Sequence, residues 1–163
     1  MSKLQFNKVG YLSPGEPIQL TLTELSNVFV AGFPNSERRR WLFDNFERYL
    51  YRFQDELFPH FEVWVNGSFV TLVEEPNDID FVVFLDYQVF EARGEKVTDK
   101  FWTFSLENQG LDAYLVKVYP MEHNEFVQYI EQTEIWSLRY SNSRADNKGV
   151  VQPKNFVKII FEP

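Results

Sequence analysis

Between Glu37 and Leu57 the apolar residues Trp41, Leu42, Phe43, Phe46, Tyr49, Leu50, Phe53 and Leu57 recur mostly at steps of three and four. That spacing predicts an amphipathic helix with one buried stripe, ended by Pro59. Thr21 and Glu24 have the spacing of a capping box ahead of Leu25, Val28 and Phe29, which predicts a short helix over 22–30. Pro34-Asn35-Ser36 stops that element and caps the next. Phe61 to Val65 reads as a strand that breaks at Asn66-Gly67. Ile79 to Leu85 is apolar throughout, as expected of a strand buried on both faces. Leu111 to Tyr119 reads as a third strand. Arg93-Gly94 marks a turn, and a helix is expected over about 95–107. Asn124 to Trp136 has helical spacing through Phe126, Tyr129, Ile130 and Ile135. Residues 137–149 read as a polar loop, and Val150-Val151 and Phe156 to Phe161 as closing strands. Residues 1–20, rich in turn formers from Asn7 to Pro17, read as an extended lead-in. The alternation predicts an α/β (α+β) fold, a mixed twisted sheet flanked by helices, in a single domain over 1–163 with its core at about 37–120.

Composition narrows the chemistry. Apolar residues make up 44 % of the 163 and aromatics 18 %, a load that folds rather than stays disordered. Cysteine is absent, which excludes disulfides, thiolate nucleophiles, zinc ribbons and iron–sulfur clusters. With His60 and His123 as its only histidines, the chain cannot build a three-histidine metal site. The net charge of −8 weighs against general DNA or RNA binding. It is uneven: residues from Ser137 onward carry +3 and the rest −11, so the tail can favour a polyphosphate locally. The longest obvious apolar run, Phe81 to Leu85, is far below the ~20 residues that span a membrane. No signal-type apolar run follows the N-terminus, and the expected location is cytoplasmic.

The candidate chemistry sits in Val65 to Phe81, VNGSFVTLVEEPNDIDF. A strand runs into Gly67-Ser68, and Asp78-Ile79-Asp80 opens the apolar strand that follows. Residues i and i+2 of a strand share a face, so Asp78 and Asp80 project together. Two close carboxylates repel, and burying them unpaired is costly, so a cation between them is expected. Oxygen ligands suit a hard cation, with Mg²⁺ best where a phosphate completes the shell. Alone, the pair fits equally a turn after Pro76-Asn77 followed by a solvated Asp80. Gly67-Ser68 bears on that choice. Glycine admits close backbone approach, and a helix opening there would offer free N–H groups to an anion. The Ser68 hydroxyl would then hold a terminal phosphate oxygen.

Gly-Ser, a spacer of this length and Asp-x-Asp opening an apolar strand resemble the signature of the nucleotidyltransferase superfamily, in its minimal single-domain form with the polymerase beta-like fold. The resemblance covers Phe61 to Val118. It implies a third carboxylate from a later strand of the same sheet, and Asp112, in Gly110-Leu111-Asp112-Ala113-Tyr114, matches that place. It also implies that Asp78, Asp80 and Asp112 are catalytic ligands of Mg²⁺ (or Mn²⁺), and that Gly67 and Ser68 bind the nucleoside triphosphate. The implied reaction moves a nucleoside monophosphate to a protein or RNA acceptor. Minimal members commonly work in bacterial toxin–antitoxin or phage-defence pairs, which adds a small helical protein to the expected partners. The chain departs from many minimal members in carrying Val70-Thr71-Leu72 where they have Arg and Gly, and Asn77 where they have Ser. A catalytically inactive binding partner of the same fold is therefore the alternative reading. A sugar transferase using Asp78-Ile79-Asp80 on a nucleotide sugar is a third, and leaves Gly67-Ser68 unexplained.

Other features read two ways. Arg38-Arg39-Arg40 opposes the dipole at the start of the long helix, as a solvated face with salt-bridge partners or as a phosphate or RNA contact. Arg139, Arg144 and Lys148 lie in the polar segment, which either folds over the triphosphate or stays at the surface. His60 and His123 read as structural or exposed. Trp64 and Phe69 flank the proposed site within reach of a base.

Overall fold

The computed structural model describes residues 4–56, 60–93 and 109–161. The expected helix over 95–107, and the end of the long helix at Leu57 and Pro59, lie outside the described residues. In chain order the elements are β1 (Ile18–Gln19), α1 (Leu22–Phe29), α2 (Glu37–Glu56), β2 (Phe61–Asn66), β3 (Ile79–Asp86), α3 (Tyr87–Arg93), β4 (Leu111–Val118), α4 (Phe126–Tyr140) and β5 (Val157–Phe161). The strands form one sheet in the order β1-β5-β2-β3-β4. β2 runs antiparallel to β3 and β5, while β3–β4 and β1–β5 are parallel pairs. The fold is thus a mixed sheet flanked by helices, as expected.

The helices form where their ends are chemically set. Thr21 and Glu24 close the capping box of α1, with the Thr21 hydroxyl accepting from Glu24 N at 3.1 Å and the Glu24 carboxylate accepting from Thr21 N at 2.8 Å. Ser36, fully buried, accepts from Arg39 N and starts α2. The stripe of α2 then buries Leu42, Phe46, Leu50 and Phe53 completely, each burial stabilising by roughly 1.5–3 kcal/mol.

The pleat divides the core in two. Val63, Val65, Phe81, Val83, Ala113, Val157 and Ile159 face α1 and α2. Trp64, Val82, Phe84 and Val116 face the other way, with Tyr140 of α4 and Phe156 packed over them. Asp80 and Asp112 share the parity of Val82 and Tyr114, so they belong to the α4 face at the N-terminal ends of their strands.

Two expectations need correction. Helix α4 runs on to Tyr140, through residues read as loop, because Tyr140 is buried against Phe156 and Trp136 and anchors the last turn. Val150-Val151 forms no strand. It follows a turn in which the Asp146 carboxylate accepts from the N–H groups of Lys148 and Val150. The lead-in packs on the rest of the chain: Leu12 is buried, Tyr11 bridges Thr71, and β1 pairs with β5 at Ile18↔Val157.

Candidate functional site

The register of the two central strands sets the site. β3 and β4 run in parallel with Asp80 beside Asp112. Neighbouring strands lie about 4.8 Å apart, so the two carboxylates leave adjacent backbone positions on one face. Asp78 stands one residue before β3 and lines the same cleft as Asp80. The acids feel one another. Burial pushes the Asp80 carboxyl above its ordinary range, Asp78 and Asp112 push it further, and Arg144 and Lys154 pull it back. Asp112 accepts a hydrogen bond from Tyr114 Oη at 3.3 Å.

Gly67 shapes the opposite lip. It has φ +78°, and a Cβ there would stand 1.8 Å from Asp80 Oδ2. The missing side chain lets that carboxylate lie against the backbone. Ser68 to Val70 then makes a single 3₁₀ turn rather than the opening of a helix, so no helix dipole aims at the cleft. Ser68 lines the cleft, and its carbonyl accepts from Thr71 Oγ1 at 2.7 Å.

The segment from Ser68 to Asp78 is held by two arginines of α2. Arg39 has no exposed surface, and its guanidinium donates to the carbonyls of Phe29 (2.9 Å), Phe69 (2.6 Å), Thr71 (2.9 Å) and Val73 (3.1 Å) while lying 3.9 Å from the centre of the Phe33 ring. Burial brings it down to about 10, against the upward pull of Glu74 and then Glu75, so it stays charged at neutral pH. Arg38 donates to the carbonyls of Pro76 and Asn77, beside Asp78, and stacks on Trp41. Of the three cations read as a solvated face, only Arg40 is exposed. The reason is the loop's carbonyls, which accept from the Arg38 and Arg39 guanidinium groups.

The cleft measures about 400 Å³. Asn66, Ser68, Asp78 and Asp80 line it together with Arg139, Tyr140, Arg144 and Lys154. Lys154 Nζ donates to Asn66 Oδ1 at 2.7 Å, and Asn66 Nδ2 donates to the Tyr140 carbonyl at 3.3 Å. Burial and then Arg144 draw Lys154 downward, Asp80 draws it up, and it settles at about 8. Arg139 lies 5.0 Å from the Trp136 ring centre. Lys148 sits in the Asp146–Gly149 turn and is not part of the lining. Trp64 and Phe69 are buried core residues outside the lining, so neither offers a face to a base there. His60 lines a separate cleft near Glu62 and Ile160, and His123 packs on Tyr87 and Tyr119.

One family profile matches residues 4–160. The chain belongs to DUF6932, a family of unknown function. No curated protein and no solved structure matches it. Among the described residues of this DUF6932 chain, no helix is long and apolar enough to cross a membrane.

Sequence reasoning brought Gly67, Ser68, Asp78, Asp80 and Asp112 forward, and the fold gathers the first four around one cleft with Asp112 beside Asp80. It missed Asn66, Tyr140 and Lys154, whose meeting joins positions 66, 140 and 154 across the whole fold without a local pattern. Among the described residues no three His, Asp or Glu side chains form a ready-made ligand set for a metal ion. The donors fit a hard cation in kind, being all carboxylate oxygens, with Asp78 and Asp112 both raising the Asp80 carboxyl.

Proposed function

We propose that this DUF6932 protein is a cytoplasmic, divalent-metal-dependent nucleotidyltransferase. It moves a nucleoside monophosphate from a nucleoside triphosphate to a protein or RNA acceptor, within a bacterial toxin–antitoxin or phage-defence pair that includes a small helical partner. The observation that carries this reading is the in-register pair Asp80↔Asp112 on parallel strands, with Asp78 two residues before Asp80 and Gly67 pressed against the Asp80 carboxylate.

Asp78, Asp80 and Asp112 would hold Mg²⁺ or Mn²⁺. When bound, the cation neutralises triphosphate charge and favours in-line displacement at the α-phosphorus. The protein's own groups do the rest. The Ser68 turn, fixed through Arg39, orients the phosphates. Asp112, steadied by Tyr114, takes the acceptor's hydroxyl proton. The acceptor oxygen bonds to the α-phosphorus as the bond to the bridging oxygen breaks, and pyrophosphate leaves with that electron pair.

The test is incubation with each α-labelled nucleoside triphosphate, Mg²⁺ and a cell lysate, followed by gel separation. Wild type labels a discrete protein or RNA species, and Asp78→Asn or Asp80→Asn lowers the label by about a thousandfold, the scale set when charge stabilisation of a transition state is lost. Equal labelling by either variant overturns the assignment. The want of a ready-made three-ligand set among the described residues favours a second reading, an inactive binding partner of the same fold. Calorimetry showing neither Mg²⁺ nor nucleotide binding would decide for it.

A further inference from the structure

The wall of the cleft that faces the carboxylates plays no part in the acid-set reading, and its chemistry has the opposite sign. On a chain of net charge −8, Arg139, Arg144 and Lys154 line this cleft against Asp78 and Asp80. Cations gathered so closely repel one another, and a bound anion relieves the repulsion. A cleft of about 400 Å³ with several separated cations suits an extended, multivalent anion better than a single carboxylate.

Two built features say what such an anion meets. Lys154 uses one of its three N–H groups on Asn66 Oδ1 at 2.7 Å, and Asn66 is itself tied to the Tyr140 carbonyl. The ammonium is therefore aimed, with donors left over. Tyr140 lines the cleft and is 3 % exposed, yet its Oη has no hydrogen-bond partner among the described residues. It lies near enough to Asp80 and Asp112 to be pushed further upward by both, after burial, while bonding neither. A buried hydroxyl left unpartnered costs roughly 1–3 kcal/mol, a cost that a ligand oxygen in the cleft removes.

We propose that Lys154, Tyr140 and Arg144 form a polyphosphate-binding wall that holds the departing pyrophosphate and engages it without a divalent cation. The identity of the anion as a reaction product rests on the nucleotidyl-transfer reading; the wall itself does not. The three donors line the same cleft as Asp78 and Asp80, so the acid set and the wall divide the triphosphate between them.

Calorimetric titration of the full chain with inorganic pyrophosphate in a chelating buffer tests this, with inorganic phosphate as the weaker comparison. Wild type binds pyrophosphate. Lys154→Met and Tyr140→Phe each weaken binding by about tenfold, the scale of one hydrogen bond to a charged group. Tyr140→Phe removes a hydroxyl that bonds nothing among the described residues, so an unchanged or raised melting temperature separates lost binding from a lost fold. Arg40→Met, which alters an exposed cation outside the lining, leaves binding as in wild type. Wild type failing to bind pyrophosphate, or both wall variants binding it as wild type does, overturns the proposal. Pyrophosphate binding that depends on Lys154 and Tyr140 in a protein that transfers no nucleotide keeps the wall and removes the enzyme. Transfer that is lost in Asp80→Asn, with binding indifferent to the wall variants, keeps the enzyme and removes the wall.

Discussion

Arg39 and Lys154 are both drawn out of water and both border the loop-and-strand framework of the cleft, yet they do opposite work. The Arg39 guanidinium spends its donors on the carbonyls of Phe29, Phe69, Thr71 and Val73. Among the described residues Lys154 makes one side-chain hydrogen bond, to Asn66 Oδ1, and it lines a cleft. A buried cation whose donors are used up fixes a backbone. One with donors left over is prepared for something absent from the fold. The clamp side of the cleft is therefore set before any ligand arrives, whereas the wall side is completed by one.

Breaking the clamp has the largest expected effect. Arg39→Met leaves the carbonyls of Phe29, Phe69 and Thr71 without donors in a buried setting. Loss of a buried, fully bonded charge of this kind costs roughly 3–5 kcal/mol, read as a lower urea midpoint. Arg39→Lys recovers little, because one ammonium cannot reach carbonyls spread around a planar fork. A loss below about 1 kcal/mol would mean that the loop holds itself and that the contrast with Lys154 is empty.

The second effect is felt at the junction of clamp and acids. Gly67→Ala places a methyl group where Asp80 Oδ2 now lies, on a backbone at φ +78°. The strained backbone costs roughly 1–2 kcal/mol of stability. The carboxylate must also rotate away, so transfer falls by more than that strain predicts. Denaturation and labelling measured on the same preparation separate the two. Activity that falls only in step with folding would show that the Asp80 position is not what Gly67 protects.

The helix stripe and the acid-bearing stretch were legible in the sequence, the arginine clamp and the wall were not, and the difference is physical. The stripe of α2, the capping box at Thr21 and Glu24, and the apolar run of β3 are local patterns, and local periodicity survives into the fold. Gly67, Ser68, Asp78 and Asp80 share one short stretch, so their juxtaposition was readable; Asp112 entered through the family resemblance, and its register beside Asp80 came from the fold. Arg39 was misread because a triplet of arginines resembles a solvated face, and its carbonyl partners lie as far as 34 residues away. Lys154 and Asn66 are 88 positions apart. Tyr140 fell in a polar run whose helical character comes from packing on Phe156, not from spacing. The two-residue β1 had no pattern to show, since its strand identity rests on pairing with β5.

A third expectation concerns the charge that both halves face. Asp80 is held above its ordinary range by burial, then by Asp78 and Asp112, so its ionised form weakens the native state. Asp80→Asn removes that burden and raises stability at neutral pH while lowering transfer by about a thousandfold. The gain shrinks as pH falls through the raised value, because the wild-type carboxyl then takes up its proton in the native state first. Melting curves at neutral and mildly acidic pH read the change directly. An asparagine variant less stable than wild type at neutral pH would mean that Arg144 and Lys154 outweigh the neighbouring acids.

The smallest effect isolates Lys154 itself. Its ammonium falls from 10.5 to about 8 in the native state, chiefly through burial. Below about 8 both folded and unfolded chains carry the proton, and the cost of holding the charge is fully present. Between that value and 10.5 the unfolded chain binds the proton while the native chain has released it, so stability rises with pH across this window. Lys154→Met has no proton to release and lacks that rise. At pH 7 the variant should lie within about 1 kcal/mol of wild type, because loss of the Asn66 hydrogen bond offsets relief of the buried charge. From pH 8 to 9.5 wild type should then gain on the variant, as measured by paired urea titrations, before the tyrosines begin to ionise. Parallel stabilities across that range would mean that Lys154 is as well solvated as a surface lysine, and the wall would lose the preorganisation that distinguishes it from the exposed Arg40.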